Sequence, residues 1–129
     1  MVTKRKYYKL LFIIGAIWNF ILALSYLAQT FIGPVEFSGR ALMYYQGFLI
    51  SVLLFGVGYL IVGLDIKKNH GIVWLGAVGK VLVFGSFLAN YLMGHLPLYL
   101  VLIGTGDLIF ALLFFEFLFW SKKAPGQPQ

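Results

Sequence analysis

The chain has 129 residues, of which 61% are hydrophobic and 11% charged, against about 45–50% and about 25% in an average soluble domain. Its mean hydropathy is +0.92, so a soluble globular domain and a disordered chain are both excluded. The net charge is +6, but the basic residues gather at the ends of apolar runs, a pattern of membrane orientation rather than of nucleic-acid binding.

Four apolar stretches follow one another, at about 8–32, 41–64, 71–93 and 96–120. Each reaches roughly 20 residues, enough for one helix across a hydrocarbon core of ~30 Å. They are apolar all round rather than striped, as lipid-embedded helices are. No period-two alternation appears, which argues against a barrel. The first stretch has a basic start, and Ala23-Leu24-Ser25 faintly resembles a cleavage site. Its apolar run is too long for a signal peptide, and an uncleaved helix is expected.

The links between the stretches are short. The longest, 29–40, carries the breakers Gly33, Pro34 and Gly39. Asp65 to His70 is a polar turn, and Met93 to Pro97 is tighter. Short links force neighbouring helices antiparallel. The expected fold is therefore an all-α integral membrane protein: a single domain, 1–129, forming an antiparallel up-down-up-down four-helix transmembrane bundle. Residues 124–129, rich in Pro and Gly, read as a flexible tail.

Lys4, Arg5, Lys6, Lys9, Lys67, Lys68, Lys122 and Lys123 fall on one side of this arrangement, and Arg40 alone on the other. The asymmetry places both termini in the cytoplasm. Tyr7, Tyr8, Trp74 and Trp120 would then lie at the inner interface, and Tyr44, Tyr45, Tyr91 and Tyr99 at the outer one.

Chemistry is sought among ionisable groups inside the hydrocarbon, where each is costly. Lys80, Asp107 and Glu116 qualify. Counted from Ile72 and Trp120, Lys80 lies roughly 12 Å and Asp107 roughly 20 Å from the inner face. The difference is within much of a lysine's reach. Asp107 and Glu116 are nine residues apart and point to opposite faces of the fourth helix. Gly104, Asp107 and Ala111 share a face whose small residues admit another helix, so Asp107 is expected inward and Glu116 near water. Gly76, Lys80 and Phe84 share a face of the third helix, and Asn19 of the first lies at the depth of Lys80. Gln46, with Ser51, and Asn90 add polar atoms nearer the outer side. Lys80, Asp107, Asn19, Gln46 and Asn90 are therefore the candidate ligand-binding or polar-core residues. The group could lock the helices together, hold a ligand, lipid or proton, or leave one charge to snorkel alone.

Other chemistry finds little support. The chain has no cysteine, which removes disulfides, thiolate metal sites, iron–sulfur clusters and Cys-x-x-Cys electron transfer to quinone. His70 and His95 are separated by a helix of about 37 Å, too far to share a haem or metal. No phosphate loop, catalytic triad or metal-binding His spacing is present. No metal site, no cofactor and no nucleic-acid partner is expected, and catalysis is disfavoured.

The segments 9–19 (KLLFIIGAIWN), 56–65 (GVGYLIVGLD), 72–80 (IVWLGAVGK) and 106–111 (GDLIFA) together resemble, in layout, small bacterial four-helix membrane proteins of the DoxX-like kind. The resemblance implies a bacterial inner membrane and a four-helix bundle, and no activity. The leading expectation is a non-enzymatic membrane protein whose partners are membrane lipids. It would bind a lipid, quinone or other apolar molecule, or serve as an accessory subunit of a larger complex. The alternative is a small transporter, dimeric and proton-coupled, with its acid on helix four, since helix one holds Asn19 and no acid.

Overall fold

A computed structural model describes residues 3–35 and 38–123. Within them the chain is all-helical, with no strand. The elements are α1 (Lys4–Ile32), α2 (Arg40–Leu64), α3 (His70–Leu92) and α4 (Leu98–Lys123). All four are long and apolar enough to cross a membrane.

The helix ends differ from the hydropathy boundaries for local reasons. Helix α1 starts four residues early because Thr3 caps it, its hydroxyl accepting from the Lys6 amide at 3.2 Å. The basic run is thus the first turns of the helix. Pro97 holds Leu96 out of the helical region, so α4 begins at Leu98 rather than 96. It continues past Trp120 through Lys122 and Lys123, cations that its carbonyl end favours. The C-terminus of α3 is a Schellman motif: Gly94 takes φ +82, His95 N–H donates to Asn90 O at 2.8 Å and Gly94 N–H to Tyr91 O at 3.0 Å. The expected tail, 124–129, lies outside the described residues.

The chain divides into two compact units, Met1–Ile66 and Lys67–Gln129. The first pairs α1 with α2, and the second pairs α3 with α4.

In the first unit, polar and small residues set the approach of the helices. Gln46 Nε2 donates to Thr30 Oγ1 at 3.0 Å. Asn19 Nδ2 donates to Val52 O at 3.0 Å. A Cβ on Gly56 would lie 2.7 Å from Phe20 Cε1 and 3.1 Å from Asn19 Cβ, and one on Gly63 would lie 3.0 Å from Ile13 Cγ1. Partners in α1 thus step back from Thr30 to Ile13 as α2 advances from Gln46 to Gly63. Gly56, Tyr59 and Gly63, at i, i+3 and i+7, are all buried. This is how two helices without long polar faces come close enough to exchange dispersion contacts.

In the second unit, a Cβ on Gly104 would meet Phe87 Cδ2 at 3.3 Å and Phe84 Cδ1 at 3.6 Å. Trp74 packs edge-on against Phe115 at 5.8 Å, and His70 against Phe117 at 5.2 Å between ring centroids. Val73, Ala77, Ala111, Phe114 and Phe117 are fully buried.

Candidate functional site

Near the middle of α3 and α4, Lys80 Nζ meets Asp107 Oδ1 at 2.6 Å, both a salt bridge and a hydrogen bond. The pairing follows from helix geometry. Lys80 lies one turn beyond the buried Gly76, and Asp107 lies between the buried Gly104 and Ala111, so both side chains leave faces made of small residues. The two side chains are 8% and 18% exposed. The lysine is thus enclosed, while the carboxylate keeps an accessible edge.

Phe110, one turn beyond Asp107 on α4, places its ring centroid 5.6 Å from Lys80 Nζ. The ammonium is therefore held by a carboxylate and by the electron-rich face of an aromatic ring. Phe110 in turn packs against Phe114 at 6.2 Å. On the other side of Asp107, Phe84 and Phe87 lie against Gly104. The pair thus has one aromatic ring against its ammonium and two more packed one helical turn away, at Gly104. An ammonium carries three donors, and a lysine–carboxylate pair can orient the oxygen-bearing head of a molecule whose remainder is apolar.

Of the other expected site residues, Asn19 and Gln46 belong to the first unit and Asn90 to the second. Asn19 is buried in the first unit, donating to the Val52 carbonyl. Gln46 is in the same unit, on Thr30, whose own hydroxyl donates to Leu27 O at 2.6 Å. Ser51 donates back to Gly47 O at 3.0 Å. Asn90 shares α3 with Lys80, but ten residues on, about 15 Å along the helix. It donates to Ser86 O at 2.8 Å, and its Oδ1 lies 3.3 Å from His95 Nδ1. It stands at the end of α3 as part of the turn and is not brought to the Lys80–Asp107 pair. Glu116 is exposed, on α4.

Phe110 was not among the residues singled out from sequence. Its spacing of three from Asp107 was the available signal, hidden because phenylalanine occurs 13 times in the chain. Among the described residues, no three His, Asp or Glu side chains gather as metal ligands would. No family model, curated protein or solved structure matches the chain.

Proposed function

We propose that this chain is a multi-pass protein of a bacterial inner membrane, folded as an antiparallel up-down-up-down bundle. In this reading it holds the polar head of an apolar molecule, of the quinone or lipid class, at Lys80 and Asp107. The reversed order of contacts within each helix pair supports the antiparallel arrangement. Large apolar side chains turned outward on every helix, such as Ile21, Leu54, Leu82 and Leu112, support insertion in lipid, since a water-facing surface rarely carries such continuous apolar area. The DoxX-like layout belongs to the same proposal.

The observation that carries the ligand reading is the Lys80–Asp107 pair itself. It sits at mid-helix with the Phe110 ring against the ammonium and the carboxylate more open than the lysine. An ionisable pair at that depth is costly to keep, and a partly open one can accept a carbonyl or hydroxyl from the membrane. The test uses purified protein in lipid nanodiscs and a short-chain benzoquinone as probe. The unfolding midpoint of the natural chain should rise with probe concentration, as binding to the folded state requires. The double variant Lys80→Met with Asp107→Leu should fold but show no rise. An equal rise in both proteins would show that the probe binds elsewhere. No rise in either, with no copurifying lipid or quinone in an organic extract, would leave the pair as a lock between α3 and α4.

A further inference from the structure

The second unit carries another cluster, at the end where α3 begins and α4 finishes. Trp74 packs against Phe115, and Lys122 folds back so that its Nζ lies 5.7 Å from the centre of the Trp74 ring. One turn before Trp74, His70 sits against Phe117, which also meets Trp120 at 6.0 Å. Lys68, Lys122 and Lys123 are exposed, and Trp74 is 39% exposed. Around Lys68, Lys122 and Lys123, the acids nearest in the chain are Asp65, three residues before Lys68, and Glu116, six residues before Lys122. One helical turn further in, on the faces of Trp74 and Phe115, the exposed side chains are Val78 and Leu112.

We propose that this end of the α3–α4 pair binds one anionic phospholipid. Lys122 and Lys123 engage the phosphate, the Trp74 indole lies at the glycerol level, and the acyl chains run along Val78 and Leu112. Charge complementarity selects the headgroup, since each lysine near an anionic surface contributes about 1 kcal/mol, or about fivefold in affinity. The apolar side chains continuing inward select a lipid over a free phosphate, which would gain nothing from them. An indole suits the boundary because its ring is apolar and its N–H is polar. The proposal rests on the membrane reading above but not on the Lys80–Asp107 site.

Native mass spectrometry of the detergent-purified chain, titrated with phosphatidylglycerol or with phosphatidylcholine, tests it. One phosphatidylglycerol should be retained in preference to phosphatidylcholine. Lys122→Gln with Lys123→Gln should weaken that retention by about fivefold for each lysine removed. Lys4→Gln with Lys6→Gln removes the same charge from the first unit and should leave retention within about twofold. Trp74→Leu should weaken it with helicity unchanged by circular dichroism. Equal losses from the two lysine pairs, or equal retention of the two lipids, would overturn the site. Displacement of the lipid by inorganic phosphate at matched concentration would overturn the choice of a lipid over a free anion. Alkaline washing of cell membranes separates the two levels. A chain that washes off overturns the membrane reading, whereas one that stays but shows no lipid preference overturns this site alone.

Discussion

An ammonium and a carboxylate 2.6 Å apart stabilise each other only relative to a lone charge. Polar contacts between membrane helices average about 0.6 kcal/mol, because partners are also found in the unfolded state. Removing one member of a buried pair costs more, about 3–5 kcal/mol, since it strands the other. The penalty of stranding therefore dominates the benefit of pairing. Lys80→Met and Asp107→Leu should each lower the thermal unfolding midpoint in detergent, and the double change should recover most of the loss. Strictly additive losses would show that the two residues are not coupled. Glu116→Gln, at an exposed position, should alter stability by less than about 0.5 kcal/mol. The Lys80–Asp107 juxtaposition was legible in sequence because charges inside apolar runs are rare and helical spacing gives their faces. That Asn90 bonds within its own helix end, to Ser86 O and His95 Nδ1, was not legible, because residue spacing does not show which backbone groups a turn leaves open.

Close approach of α1 and α2 is a property of the elements, and Gly56 is one of the positions that set it. A methyl group on Gly56 would press on the Phe20 ring and on Asn19 Cβ, 3.1 Å away at the root of that side chain. The ring can swing aside, but the Asn19 Cβ moves only with the backbone of α1. That shift would also stretch the Asn19–Val52 hydrogen bond. Gly56→Ala should cost about 1–3 kcal/mol, the usual penalty of overpacking. Gly85 on α3 is the control: a Cβ there meets nothing within 4 Å. Gly85→Ala should hold or raise stability, by up to about 1 kcal/mol from helix propensity. Equal responses would deny the close contact at Gly56. Sequence reading found all four helices, because runs of some 20 apolar residues permit little else in lipid. Their ends were less legible, because hydropathy averages over windows while a Thr3 cap or a Pro97 acts at one residue. Which of the 15 glycines mark close approach was not legible either, since that depends on what the neighbouring helix presents.

For the whole molecule, the proposed membrane reading carries an orientation, which follows from where lysine and arginine lie along the chain. Lys4, Arg5, Lys6 and Lys9 open α1, Lys67 and Lys68 precede α3, and Lys122 and Lys123 close α4, while Arg40 begins α2. Translocating a loop with two lysines is disfavoured relative to one with a single arginine, and the two ends of the chain add to the same bias. Both termini and the Lys67–Lys68 link are therefore expected in the cytoplasm, with Ser38 and His95 outside. The absence of cysteine makes the test clean, because every label reports an introduced thiol. Asn69 is a poor place for the inner probe, since its φ of 64 strains most side chains. Lys68→Cys serves instead and still leaves a strong excess of positive residues on that side. On whole cells, Ser38→Cys and His95→Cys should react with a membrane-impermeant thiol reagent, and Lys68→Cys should react only after the cells are opened. Label at Lys68→Cys with silence at the other two would reverse the orientation. Label at all three would mean that the helices do not cross the membrane as successive hairpins.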